Sequence, residues 1–333
     1  MNKKLVVKPS GIGGQAVLEG VMMKNGDRYA VAVRKPDGEI EVEKGHCQSL
    51  RDKYFVCDLP IIRGVVTFVE SLVLGMKSLT DSSKYYEDEE EENRQQMDDA
   101  AKERHEKIET TFTVILSIVL AVGIFMVLPF FISELLKSII KSAKVLAVIE
   151  GIIRIILFIG YVFAISFVED IKRVFMYHGA EHKSIFCYEN GLELTVENVR
   201  KQRRFHPRCG TSFIFLTLII SILVSTIVVM IFPGVRDYKA LWMIIKILIL
   251  PIIMSIGYEA IRLAGKKNNL FTKIISAPGL WMQRITTKEP TDDIIEVGIA
   301  SLKVALGWEK ENINDPIEPE KEESTDEDEN DGQ

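Results

Sequence analysis

The chain of 333 residues is poor in cysteine. Cys47, Cys57, Cys187 and Cys209 form no Cys-x-x-Cys pair, and with the cytoplasmic placement argued below they are expected as reduced thiols. Lys3 and Lys4 put charge near the start, but no apolar core long enough for a signal peptide follows them. Gly11 to Gly14 reads GIGG, which is not Gly-x-Gly-x-x-Gly, and no strand signal precedes it. A bend that lets the backbone approach a neighbouring segment is therefore expected there in place of a nucleotide cradle. The basic string KQRRFHPR (201–208) has no aromatic stacking platform or RNA motif beside it, so no nucleic-acid partner is expected. There is no internal repeat, which counts against a transporter built from duplicated halves unless the protein oligomerises.

What is abundant is apolar sequence in long runs. Four runs are each about as long as a helix needs to cross roughly 30 Å of hydrocarbon: Thr110–Ile132, Val145–Val168, Thr211–Phe232 and the shorter Ala240–Gly257. The net charge of −6 hides an uneven distribution, with the acidic excess in Glu87–Asp99 and in the tail after Trp308. The loop between the second and third runs carries Lys172, Arg173, Lys183, Arg200, Lys201, Arg203, Arg204 and Arg208, and Arg262, Lys266, Lys267 and Lys273 follow the fourth. Fewer cations lie in the other two connections, so the positive-inside rule places both termini and the central loop in the cytoplasm of a multi-pass cell-membrane protein. Glu150, Arg154 and Lys246 interrupt the runs; the choices are pairing inside the bundle, Glu150 with Lys246 or Arg154, or snorkelling to the outer surface.

The expected fold is a mainly α-helical membrane protein of about four transmembrane helices, with a small N-terminal β-containing cytoplasmic module and amphipathic helices. Residues 1–58 read as a cytoplasmic β-hairpin module. Tyr29–Arg34 and Glu39–Glu43 alternate around the turn Lys35-Pro36-Asp37-Gly38, and a third strand is expected near Tyr54–Cys57. Residues 59–80 form an amphipathic, interfacial helix whose Arg63, Glu70 and Lys77 share one stripe, with a polar-faced transmembrane span as the alternative. Residues 81–109 are an acidic linker or helix, 110–257 the transmembrane region, 258–308 a cytoplasmic interfacial segment with an amphipathic helix from Asp292, and 309–333 a disordered acidic tail.

Polar chemistry concentrates in the cytoplasmic loop 169–210, which holds His178, His182 and His206, three of the five histidines. His178-Gly-Ala-Glu181-His182 is an H-x-x-E-H string. On a helix the two imidazoles lie one turn apart on one face, with Glu181 placed as a general base. His206 or Cys209, in the string HPRC, supplies a third ligand to a divalent metal, zinc by ligand type, and Arg208 could steady an oxyanion. The loop must fold back for these residues to meet. Asn190-Gly191 is the expected turn and Thr195 the expected N-cap of a short helix through Val199 to Gln202. The plainer alternative is a hydrogen-bonded polar cluster that locks the loop to the bundle. The loop's cations would also attract the bilayer's anionic headgroups.

The strings GGQAVLEGVMMK, YHGAEHKSIFCYE and HPRCGTSF, with the helix near the end, make the chain resemble the YqhQ-like family of bacterial membrane proteins. The resemblance spans nearly the whole chain apart from the acidic linker and tail. It implies an integral membrane protein of a family described as uncharacterised and often labelled a predicted metal-dependent enzyme. Two function classes follow: a metal-dependent hydrolase acting at the cytoplasmic membrane surface, or a non-enzymatic scaffold or regulator, with a homo-oligomer or cytoplasmic protein as partner. A transporter is the third.

Overall fold

The computed structural model describes residues 10–86, 99–266 and 269–307. Lys3 and Lys4, the acidic heart of the linker at 87–98, Lys267 and the acidic tail from Glu309 lie outside the described residues. The protein is mainly helical, with four helices among the described residues long and apolar enough to cross a membrane and a small antiparallel sheet near the N-terminus.

The sheet is a meander of four strands in sequence order: β1 (Gly13–Val17), β2 (Gly20–Asn25), β3 (Arg28–Arg34) and β4 (Ile40–His46). The β3–β4 pair is the hairpin read from alternation, and Gly38 takes the left-handed conformation (φ 89°) that its turn needs. The first two strands are additions to that reading. Their glycines mask the period-two pattern because backbone, not side chains, packs there. A Cβ on Gly20 would stand 2.4 Å from the Ala32 carbonyl oxygen. The strand expected near Tyr54–Cys57 is instead a single helical turn, Phe55–Asp58, closed by Cys57 N–H on the Tyr54 carbonyl.

A short helix α1 (Leu50–Lys53) leads to α2 (Ile62–Ser83). The Arg63, Glu70 and Lys77 stripe of α2 turns toward the protein. Arg63 pairs with Glu259 at 2.5 Å, Glu70 accepts from the Ser49 hydroxyl and the Leu50 amide, and Lys77 donates to the Tyr29 hydroxyl. The outward face is apolar, with Val69, Leu72, Val73, Met76 and Leu79 all exposed.

The candidate spans are Thr110–Ser138, Ala143–Ile165, Gly210–Ile231 and Lys239–Leu263. The first runs through α3 (Asp99–Val122), a widened turn at Gly123–Val127 ahead of Pro129, and α4 (Leu128–Leu135). The second is α5 (Ala143–Ile165). After it the chain leaves the bundle as α6 (Glu169–Glu189), with Glu169 and Asp170 in the first turn, where carboxylates suit the helix dipole. A short α7 (Val196–Arg200) precedes the third span, α8 (Gly210–Ile231); the fourth opens α9 (Lys239–Lys266). Then come α10 (Leu270–Thr286), which lies against α8, and α11 (Asp292–Ala305).

The helix at Asp292 is not a surface helix with one wet face. Ile294, Ile295, Val297, Ile299, Ala300, Leu302 and Ala305 are all buried in one core with Val21, Met23, Ala30 and Ala32 of the sheet and Tyr177, Ala180 and Ile185 of α6. Thus α11 lies between sheet and α6. Gly298, where a Cβ would meet Ser184 Oγ at 3.0 Å, brings α11 close to α6.

Within the bundle, Glu150 is buried and paired with Arg154 of its own helix (3.3 Å), with Lys246 of α9 and with Arg236 of the connection between the last two spans (2.9 Å). Both partners weighed from the sequence are present, and Arg236 is a third. Phe130 and Trp242 flank Arg236 and Lys246, with ring centroids 4.9–5.8 Å from the cations.

Candidate metal centre

The middle of α6 is buried on nearly every side. Gly179 lets the segment 287–290 pass so closely that a Cβ there would stand 2.1 Å from the Lys288 carbonyl oxygen. That segment is tied to α6 by Lys288 N–H on the Phe175 carbonyl, and Lys183 reaches back to Glu289 and to the Arg200 carbonyl. The buried stretch between these ties contains His178, Glu181 and His182.

The chain after α6 turns at Asn190-Gly191, where Gly191 has φ 64°, and enters α7 with the Thr195 hydroxyl capping the Asn198 amide at 3.3 Å. It then returns to the membrane end of the bundle, delivering His206, Arg208 and Cys209. Gln283 of α10 fixes the return. Its side chain accepts from the His206 amide (2.7 Å) and donates to the His206 carbonyl (2.7 Å) and the Ser212 hydroxyl (2.8 Å).

The two imidazoles are oriented from behind. His178 Nδ1 lies 2.8 Å from the Thr286 carbonyl and His182 Nδ1 lies 2.5 Å from the Arg204 carbonyl, so each Nδ1 carries the hydrogen. Each Nε2 is left to face the other way. His178 Nε2 meets Cys209 Sγ at 3.1 Å, while His182 Nε2 is buried with no hydrogen-bond partner among the described residues. One donor atom from each of His178, His182 and Cys209 falls within 4.8 Å of the others. A tetrahedron of zinc–nitrogen and zinc–sulfur bonds has ligand-to-ligand edges of about 3.3–3.6 Å, so side-chain shifts of about an ångström would suffice. A backbone carbonyl behind each ring is the support that metal-ligating histidines commonly have.

Glu181 lies beside the group, with Oε2 3.9 Å from His178 Nε2. Burial pushes its carboxyl pKa up, against the pull of His182 and His178 and a hydrogen bond from the Gly14 amide. Gly14 is required by that contact, since a Cβ would fall 2.8 Å from Glu181 Cγ and 2.7 Å from the Met22 carbonyl. The GIGG segment is thus the place where backbone approaches a neighbour. Burial opposes ionisation of the Cys209 thiol, yet the positive potential of His178 and His182 holds it well below the ordinary value. Burial likewise opposes charge on His178, but Cys209 and then Glu181 raise it to about 9. A buried thiolate here requires a cation, supplied by a proton on imidazole or by a metal ion.

His206 and Arg208 are placed differently. The His206 ring stands 5.4 Å, centre to centre, from His182, outside the group of three, and its Nε2 is 3.9 Å from Glu189. Arg208 pairs with Glu189 and donates to the Ser10 carbonyl at 2.7 Å. Burial raises the Glu189 carboxyl, but hydrogen bonds from His206, Ser10 and Arg208 outweigh it and hold the pKa at about 2. Other cations of the loop are paired with groups of the same chain, several of them at the surface: Arg173 on Glu19, Arg200 on Asp292, Lys201 on Glu197, Arg204 on Glu289, and Arg203 over the Phe186 ring.

Three contributors had no local signal in the sequence. Arg204 O, Gln283 and Thr286 act across 22, 77 and 108 residues, and two of them act through backbone carbonyls, which any residue type provides.

Residues 59–308 match the family described as "Protein of unknown function (DUF1385)". Over 306 residues the chain is 35% identical to the "Uncharacterized protein YqhQ" of Bacillus subtilis (strain 168), which covers 90% of this chain and 94% of that protein. No solved structure matches the chain.

Proposed function

The chain belongs to the DUF1385 family, and from that premise we propose that it is a membrane-anchored, metal-dependent hydrolase with His178, His182 and Cys209 as metal ligands. The observation that carries this reading is the gathering of one donor atom from each of His178, His182 and Cys209 within 4.8 Å of the others, with the buried Nε2 of His182 meeting no hydrogen-bond geometry among the described residues. Two imidazoles and a thiolate suit zinc, a borderline-soft ion that commonly takes three protein ligands in catalytic sites. Such an ion supplies Lewis acidity at neutral pH.

The protein's own groups divide the remaining work. Glu181 is the carboxylate beside the three donors, and its Oε atoms take up and return the proton of the hydrolytic water. The Gly14 amide fixes where that carboxylate sits. Thr286 and Arg204 orient the imidazoles through their carbonyls. Arg208 and His206 are positioning residues that, through Glu189 and Ser10, hold the loop carrying Cys209 against the N-terminal segment. The concentration of lysine and arginine in 169–210 and after 257 supports a cytoplasmic site. The exposed apolar face of α2 supports its contact with the bilayer. The substrate class is a lipid, peptide or phosphate ester reached at that surface.

A second reading has its own support. His182, Glu181 and Cys209 are all buried, and if Glu181 completed the coordination the centre would be closed and structural. Elemental analysis of the purified full chain, with turnover on a panel of lipid, peptide and phosphate esters, separates the two. We expect about one zinc per chain, lost in His178→Ala and His182→Ala. Glu181→Gln should keep the metal and lose turnover; loss of the metal in that variant would favour the structural centre. Absence of stoichiometric metal from the unmodified protein would end both readings.

A further inference from the structure

At the opposite end of the bundle, the links between the first and second spans and between the third and fourth line an open cleft of about 360 Å³. Its lining includes Lys137, Lys141, Lys144, Arg236 and Asp237, with Ser142 and Ala143 at the start of α5. Lys137 is taken up by Glu134 at 3.1 Å and Asp237 at 2.9 Å. Lys141 and Lys144 are exposed at the rim and make no ion pair among the described residues. This is the reverse of the loop 169–210, where the basic string is paired with groups of the same chain. The amino end of a long helix adds its free N–H groups to the same wall.

Arg236 connects the cleft to the charges below it. Only 3% of Arg236 is exposed, yet it lines the cleft while donating to Glu150 (2.9 Å) and to the Ser133 hydroxyl (3.0 Å). Glu150 lies seven residues into α5, about 10 Å below its start at 1.5 Å per residue. That single carboxylate serves Arg154, Arg236 and Lys246 together, and the Nε of Arg154 is buried without a hydrogen-bond partner. With all four groups ionised, the cluster carries a net charge of +2, and Glu134 and Asp237, which share the single Lys137, offset about one unit of it. A second anion placed above Arg236, between Lys141 and Lys144, would offset that excess.

We propose that this cleft is a binding site for a phosphate oxyanion, borne on a membrane lipid headgroup or free as a phosphate ion. Its volume is in the range of small-ligand sites and exceeds what the ion alone fills. Rim lysines capture the charge, and the α5 amides and Arg236 fix it.

The test uses the purified full chain. Native mass spectrometry after transfer from phosphatidylcholine nanodiscs with and without phosphatidylglycerol reads lipid retention. Melting in phospholipid-free detergent with inorganic phosphate against chloride reads the free ion. Phosphatidylglycerol retained at about one per chain and not displaced by phosphate identifies the headgroup as the source; a saturable rise in melting with phosphate identifies the ion. Either supports the site, provided that the double variant Lys141→Gln, Lys144→Gln binds at least tenfold more weakly. Both lysines are exposed, so its melting temperature without ligand should equal that of the parent. No binding of either probe to the parent protein, or unchanged binding in the double variant, would overturn the proposal.

Discussion

At one end of the bundle a single carboxylate, Glu150, faces Arg154, Arg236 and Lys246; at the other, Glu181 and Cys209 face two imidazoles. Both clusters are buried and both lean on hydrogen bonds from distant segments. They differ in the sign of what is left over. The first has more cationic than anionic side chains. The second gathers one donor atom from each of His178, His182 and Cys209 within 4.8 Å of the others. Hard surplus positive charge selects an oxyanion, whereas softer nitrogen and sulfur donors select a transition metal. The two clusters therefore differ in the ligand chemistry that the readings proposed above would draw on.

The largest effect should come from breaking the first cluster. Glu150→Gln leaves three buried cations without their counter-charge and should cost about 3–5 kcal/mol of stability. Denaturant unfolding in detergent measures it. If the two ends are independent, as sites this far apart usually are, metal content per folded chain should not change. Coupled losses would break the comparison.

Next comes Gly14→Ala, which drives a methyl group toward Glu181 Cγ and the Met22 carbonyl. A cost of about 1–3 kcal/mol is expected from overpacking, together with a loss of turnover larger than any loss of metal. Melting, elemental analysis and assay of one preparation read all three.

Acid tests the clamp behind the second cluster. Glu189 has a folded pKa of about 2 against an ordinary value of 4.5, so it binds fewer protons folded than unfolded above the lower value. Its stabilising contribution is complete above about pH 4.5 and is lost as pH falls toward 2. The shift corresponds to about 2–3 kcal/mol after allowing for partial solvent screening. Glu189→Gln should remove that part of the pH dependence, measured as unfolding free energy from pH 6 down to about 2.5. The smallest change is Thr195→Ala, which deletes the α7 cap at about 1 kcal/mol and should leave the first cluster untouched.

Much of this was legible before any coordinates. Long apolar runs announce helices because nothing else satisfies a backbone in hydrocarbon. The pair His178 and His182 announces itself because a helix puts positions four apart on one face. The sequence could not choose between His206 and Cys209, since the choice depends on how the return from α7 is pinned, and Gln283 does the pinning from 77 residues away. Strands β1 and β2 escaped notice because Gly14 and Gly20 occupy positions where a patterned side chain would collide with a neighbouring carbonyl. The helix from Asp292 looked amphipathic because Asp292, Asp293 and Glu296 lie at its start, while its later turns are covered from two sides.

That last helix sets a schedule. The four spans precede it in the chain, and both the meander and α6 rest on it. During synthesis the spans can be threaded and the imidazole-bearing helix exposed before its support has left the ribosome. Closure of the core shared by the sheet and α6 therefore waits for residues 292–305. A nascent chain stalled short of residue 292 should accordingly be protease-sensitive in its N-terminal sheet.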